Sequence, residues 1–215
     1  HFLNNINFLW ILTVTTAPQD EIITHGLFIG QDRRPLEEAI ELAKVKNMDI
    51  VQKPIKKCVV YLDPKEFKST WLGNKAVYRT RMAIADGGEL IVLAPGVHTF
   101  GEDQEINRLI RKYGYVGRER VITLFRECDD LKNNMSTAAH LIHGSSDGRF
   151  KITYAVDKIS KEEVKQVNYC AADFNEMVKL YPYQKLKTGW NILNDEEIYY
   201  IPNPALGLWI EKGRL

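Results

Sequence analysis

The sequence predicts an α/β protein, a three-layer sandwich with a mainly parallel sheet, preceded by a β-hairpin and helix arm. Three observations carry this. From Cys58 onward, short apolar runs alternate with helical patterns, the order that builds parallel sheets. The stretch 86–103, DGGELIVLAPGVHTFGED, holds a Gly pair, an apolar β-branched run, a Gly-bearing loop and an acidic helix start. Proteins with that order place ligands at the carboxyl ends of their strands. The first 50 residues read differently, as a hairpin followed by a lone helix.

Each element follows in order. Residues 8–16, FLWILTVTT, read as a strand. Residues 17–20 carry Pro18 and Asp20 and read as a turn, and 21–30 return as a second extended run, so a hairpin is expected. Pro35 stands at a helix start, with Leu36, Ala39, Ile40 and Ala43 at helical spacing. Glu37, Glu38 and Glu41 precede Lys44 and Lys46, which suits the helix dipole and a solvated face. Residues 49–55 fit no single pattern. Residues 58–62, CVVYL, read as a short buried strand ending at Asp63-Pro64. Residues 69–85 read as one long helix capped by Ser69 or Thr70. It would carry Leu72, Ala76, Arg79 and Ala83 on one face and Trp71, Lys75, Tyr78 and Met82 on the next. The run 89–94 is the following strand, which predicts a parallel crossover unit.

Residues 102–113 read as a helix with an Ile106, Leu109, Ile110 stripe, ended by Gly114 and Gly117. Helices are also expected over 121–128 and 136–143, separated by Asn133-Asn134, and a strand over 151–156. Ser160 and Glu163 have capping-box spacing, which starts a short helix ending near Gln166. A strand is expected over 168–170, a helix over 172–180, and a closing strand pair over 197–201 and 206–210. The domain reading is therefore 1–50 as an arm or the tail of a preceding domain, and 51–215 as an α/β domain.

Composition narrows the function. The 29 Lys and Arg balance 28 Asp and Glu, so no basic patch argues for nucleic acid. The longest apolar run, 6–14, is broken by Asn7 and Thr13 and falls short of the about 20 residues that span a bilayer. A basic start and a small-residue cleavage site are absent from it. No membrane partner is expected. Cys58, Cys128 and Cys170 lie far apart with no metal-ligand spacing, so they read as reduced thiols in a cytoplasmic protein. The chain begins at His1 and runs almost directly into strand-like sequence, so it is expected to be part of something longer.

His98 follows a buried strand. It reads either as a ligand-facing imidazole or as a loop histidine bonded to a neighbouring backbone group. Gly96 and Gly101 would let backbone approach a ligand closely. The amides of 101–103 open a helix and could bind an anion, although Glu102 and Asp103 could satisfy that helix start themselves. Lys75 reads as a snorkelling lysine or as a cationic donor to a carboxylate or phosphate. His140 and His143 are three apart on one helix face without a third ligand nearby, so an exposed helix end is favoured over a metal pair. His25 has no evident partner. Tyr181, Tyr183 and Trp190, interleaved with Lys179, Lys185 and Lys187, read as a loop packed on the domain.

Three segments together resemble the nickel-pincer-nucleotide lactate racemases and their sugar-acid and hydroxy-acid relatives. These are FLWILTVTT followed by DEIITHGLFIGQ, then WLGNKAVYRTRMAIADGGELIVLAPG, then IPNPALGLWI. The resemblance implies two α/β domains with the active site between them, of which this chain covers the C-terminal half. It implies that the cofactor lysine, the metal-binding histidine and the catalytic histidines lie on an N-terminal half whose motifs are not present here. The fragment alone would bind no cofactor and would be inactive. Lys75 matches a family lysine lining the cleft, and Trp71 matches a neighbouring aromatic. Leu72 stands where the family has glutamine, which puts lactate itself in doubt and suits a bulkier or differently hydroxylated acid. The implied site is Lys75 and His98 as catalytic residues, Trp71, Leu72, Gly96 and Gly101 for substrate or cofactor binding, and no metal ligand. The implied partners are a small hydroxy acid or sugar acid and the missing N-terminal domain. The apolar face that this domain would leave open invites a homodimer. The alternative function is a non-catalytic α/β module that binds a ligand or a partner chain.

Overall fold

The computed structural model describes residues 6–17 and 21–214. The chain forms two compact units, one of residues 1–50 with 206–208, the other of 51–205 with 209–215.

In the first unit, β1 (Trp10–Thr16) pairs antiparallel with β2 (Ile23–Gly30), with Ile11 opposite Ile29 and Thr13 opposite Leu27. Except for Ala17, the turn expected at 17–20 lies outside the described residues. Helix α1 (Arg34–Asn47) starts with Pro35 in its first turn and ends with Lys44 and Lys46 in its last. Asn47 Nδ2 donates to the Thr15 carbonyl at 2.8 Å, which ties the helix end to the hairpin. His25 does have a partner: its Nε2 lies 2.8 Å from the Thr16 hydroxyl. The ambiguous stretch after α1 holds β3 (Met48–Val51).

The second unit is built on six strands: β4 (Ile55–Tyr61), β5 (Ile84–Ala94), β6 (Lys151–Val156), β7 (Cys170–Asp173), β8 (Gly189–Leu193) and β9 (Glu196–Ile201). Their order is β7-β6-β5-β4-β9-β8, and every neighbouring pair is parallel except β8–β9. Alternate side chains enter two cores. Cys58, Val60, Leu90, Val92 and Tyr154 pack on one side with Leu109, Val121, Leu141 and Val164 from the helices. Val59, Ile91, Leu93 and Ala155 pack on the other with Phe174, Met177 and Leu186. Helices on both faces of a mostly parallel sheet make the three-layer α/β arrangement that the sequence predicts.

The helices are α2 (Thr70–Gly73), α3 (Lys75–Tyr78), α4 (Gln104–Tyr113), α5 (Arg118–Glu127), α6 (Asp129–Lys132), α7 (Met135–His143), α8 (Lys161–Gln166) and α9 (Phe174–Leu180). The capping box at Ser160 and Glu163 forms, with each side chain serving the other's backbone N–H. Helix α4 is capped by Asp103, whose carboxylate accepts from Ile106 N at 2.7 Å, and it ends at Gly114 with φ 65°.

Four expectations are corrected. The long helix over 69–85 is instead two single-turn helices, α2 and α3, followed by turns. Ser69 caps the first by accepting from Leu72 N, and the fully buried Asn74 ends it. The Gly87-Gly88 pair is not a turn before a strand but a bulge inside β5. The register passes from Ile55↔Ile84 to Lys57↔Glu89, and Gly87 takes φ 76°. The strand expected at 168–170 begins only at Cys170, because Asn168 is left-handed at φ 67°. Finally, 197–201 and 206–210 are not a pair. β9 lies between β4 and the unforeseen edge strand β8, and β10 (Leu208–Glu211) is outside the six-stranded sheet.

Candidate functional site

The carboxyl ends of β4 and β5 lie side by side because the two strands are parallel. The chain leaving β4 turns at Asp63, whose carbonyl accepts from Glu66 N and Phe67 N. It then runs alongside the loop that leaves β5. His98 N donates to the Lys68 carbonyl (3.0 Å), Thr70 N to Thr99 O (3.1 Å) and Trp71 N to Phe100 O (2.9 Å). The close approach explains Gly96: a Cβ there would lie 2.5 Å from Pro64 Cα and 2.8 Å from the Phe67 carbonyl.

Lys75 is half-buried at the first position of α3, with its ammonium 5.9 Å above the Phe67 ring. His98 is exposed, and its Nδ1 lies 3.0 Å from the Gly96 carbonyl. A carbonyl can only accept, so Nδ1 carries a proton and Nε2 is the ring atom left for solvent or ligand. The two residues are thus fixed to adjacent points of one segment, Lys75 over Phe67 and His98 against Lys68. The backbone reading of His98 holds for one nitrogen and leaves the other available.

The remaining expected residues divide. Trp71 lines a groove of about 340 Å³ with Tyr78, Ser136, His140 and His143. Leu72 instead packs on the main core. Gly101 is hemmed in by the Asn107 backbone, and Asn107 Oδ1 accepts from Phe100 N (3.0 Å) and Gly101 N (3.4 Å). The Asp103 carboxylate caps α4 by accepting from Ile106 N, and the Glu102 carboxylate accepts from Ser69 Oγ. Gly96 and Gly101 both sit where backbone packs closely on its neighbours, and of the 101–103 amides that of Gly101 is engaged by Asn107.

Behind Trp71 lies a buried polar network that the sequence did not reveal. The Tyr154 hydroxyl donates to Asn74 Oδ1 at 2.7 Å, and the Tyr169 hydroxyl donates to the Gly144 carbonyl at 2.7 Å. Asn74 Nδ2 lies 3.4 Å from His140 Nε2, which is also 2.9 Å from the Tyr115 hydroxyl. Tyr115 in turn meets Thr70 Oγ1 at 2.9 Å. The rings stack: Tyr115 on Tyr169 at 4.3 Å, Tyr154 on Tyr169 at 5.0 Å, and His140 on Trp71 at 4.4 Å. Burial pushes the Tyr115, Tyr154 and Tyr169 phenols up, so they remain neutral donors. Burial, with the His143 charge second, holds His140 down to about 3. His140 is thus 9% exposed and neutral at pH 7, not the exposed helix end expected of it. Thr70, Asn74, Tyr115, His140, Tyr154 and Tyr169 come from five segments, and no spacing could have joined them.

A larger cavity of about 710 Å³ includes Gly117, Arg118, Ser145 and Asp147 in its lining. It lies beside the residues entering β6 and β7, away from the strands' carboxyl ends. Part of its polar lining is committed: Asp147 accepts from Arg118 N and pairs with Arg81 at 2.7 Å, and Ser145 Oγ accepts from Gly117 N. The candidate residues Trp71, Lys75 and His98 divide: Trp71 borders the smaller groove, and Lys75 and His98 meet the 67–68 segment. Among the described residues, no three His, Cys, Asp or Glu side chains gather to hold a metal ion. Nor is any helix among them long and apolar enough to cross a membrane.

No family model and no curated protein sequence matches the chain. The solved structures that match it in fold include two that cover most of this chain. One is a Thermotoga maritima protein solved as a structural-genomics target, with TM-score 0.70 and 21% identity over 95% of this chain and 49% of that one. The other is the lactate racemase apoprotein from Thermoanaerobacterium thermosaccharolyticum, with TM-score 0.52 and 16% identity over 86% of this chain and 42% of that one. The chain thus spans about half the length of these neighbours or less, and its fold is lactate racemase-like.

Proposed function

We propose that this chain is the substrate-facing part of a racemase or epimerase for a 2-hydroxy acid or sugar acid. The observation that carries the reading is the joining of Lys75 and His98 to one segment beyond the carboxyl ends of β4 and β5, in a lactate racemase-like fold. In this reading a nickel-pincer nucleotide held by a preceding domain supplies the hydride acceptor. This chain's residues bind and orient. The Lys75 ammonium attracts the substrate carboxylate across the face of Phe67. His98 Nε2 accepts a hydrogen bond or a proton from a substrate hydroxyl, its ring held by the bond to Gly96. Trp71 provides an apolar wall that excludes water.

The preceding domain would seat on the hairpin. Leu9, Ile11, Leu27 and Ile29 are exposed, and the last three share one face of β1–β2 by their register. Apolar side chains grouped in this way mark interaction surfaces.

The test is racemisation of a panel of 2-hydroxy acids and aldonic acids by the full-length protein, followed by chiral chromatography. Lys75→Ala should lower kcat/KM about 30-fold, the scale of one lost hydrogen bond to a charged group. The half-buried side chain makes no ion pair among the described residues, so the melting temperature should barely move. Unchanged kinetics would defeat the assignment.

A further inference from the structure

His140 is the group in this region that the proposed chemistry leaves unused. Its ring edge belongs to the groove formed with Trp71, Tyr78, Ser136 and His143. Both of its hydrogen-bond neighbours within the chain meet Nε2: the Tyr115 hydroxyl at 2.9 Å and Asn74 Nδ2 at 3.4 Å. Nδ1 has no partner among the described residues, and it is not one of the sealed, unpartnered polar atoms. It is therefore the ring nitrogen left to face the groove that His140 lines.

The network decides which nitrogen is protonated. The Tyr154 hydroxyl is fully buried and needs an acceptor, and Asn74 Oδ1 at 2.7 Å is the one within reach. That fixes the Asn74 amide with its NH₂ toward His140. An amide NH₂ can only donate, so Nε2 must accept. Tyr115 then donates to Nε2 as well, and Thr70 Oγ1 turns its proton to the Phe100 carbonyl at 3.0 Å or to Tyr115. The remaining imidazole proton lies on Nδ1. Flipping the amide would strand the Tyr154 proton in an apolar core, a cost that native structures avoid.

We infer that His140 presents a fixed, neutral Nδ1–H to the groove and donates it to an acceptor oxygen of the bound ligand, a carboxylate or hydroxyl oxygen of a small hydroxylated acid. The ligand class rests on the proposed function; the protonation of Nδ1 does not. Burial supports the assignment by keeping the ring uncharged well below neutral pH. His140 would act as a hydrogen-bond donor and not as a proton shuttle. A groove of about 340 Å³ suits a ligand of this size, and Ser136 and Tyr78 add hydroxyls around the same opening.

Two measurements on the full-length protein test this. The first is the nitrogen-15 chemical-shift pattern of the His140 ring at pH 7. A proton on Nδ1 and a bare Nε2 are expected; the opposite tautomer overturns the inference whatever the protein's activity. The second compares His140→Gln with His140→Asn, using lactate, glycerate and gluconate as probes. Gln keeps an acceptor where Nε2 stood and loses the groove donor, whereas Asn places an N–H near the Nδ1 position. KM for the best probe should rise about tenfold in H140Q, the loss of one hydrogen bond to a charged oxygen, and recover in H140N. Wild-type KM in H140Q overturns the inference and leaves the racemase reading standing. Failure of the wild-type protein to bind or interconvert any of these acids defeats the racemase reading, and the ligand class with it.

Discussion

Replacing His140 by Gln should flatten the acid side of the protein's stability curve. His140 titrates near 6.5 when unfolded, and burial lowers it to about 3 in the folded chain. Above pH 6.5 neither state binds the proton and the group costs nothing. Below 6.5 the unfolded chain takes a proton that the folded chain refuses, so stability falls as the pH drops. The slope is about 1.4 kcal/mol per pH unit, and the loss levels off near pH 3. Between pH 7 and pH 5 the group should therefore remove about 2 kcal/mol. The figure depends little on the folded value, provided it lies below 5. The assay is urea denaturation of wild type and H140Q at both pH values, with the difference of differences as the readout. Carboxylates such as Asp130, held low by Lys112 and Tyr113, contribute equally to both proteins and cancel. If the two proteins lose the same stability between pH 7 and pH 5, the buried, uncharged His140 is refuted.

Other consequences can be checked with standard variants. Asn74→Leu leaves the Tyr154 donor and His140 Nε2 without their amide partner inside the core, and should cost about 3 kcal/mol in chemical denaturation. Gly96→Ala forces a methyl against Pro64 and the Phe67 carbonyl, and should cost about 2 kcal/mol while disturbing the His98 loop. Thiol labelling of the native protein should reach exposed Cys170 first and leave Cys58 silent until unfolding, since burial pushes the Cys58 thiol up.

Much of the scaffold was legible because local rules and tertiary demands agree there. The hairpin, Pro35 opening α1, Asp103 heading α4 and the Ser160 capping box follow from residue spacing alone. The apolar runs of β4, β5 and β6 announce strands buried on both faces. Residues 69–85 failed because a helical period persists through them, whereas Asn74 is drawn inward by Tyr154 and His140 and ends the first turn. β8 escaped because its apolar Trp190 and Ile192 are exposed while Asn191 between them is half-buried, the reverse of the usual alternation. The site divides along the same line. Lys75 and His98 could be singled out from their local setting and Trp71 through the resemblance, but the Thr70–Tyr115–His140–Asn74 network exists only after folding brings distant segments together.

The bulge in β5 bears on which length changes the fold can absorb. Two steps along β4, from Ile55 to Lys57, are matched by five along β5, from Ile84 to Glu89, so three residues stand clear of the ladder as slack. An insertion at Gly87, where a Cβ would meet no atom within 4 Å, would lengthen that excursion and leave every later pairing in phase. The same insertion four residues on would exchange Val92 and Leu93 between opposite layers of the sandwich and carry the Gly96–His98 loop out of step with Lys68. Two glycines thus divide β5 into a bulged stretch held by Arg149 and Arg214 outside the ladder and a stretch locked in register by its neighbouring strands.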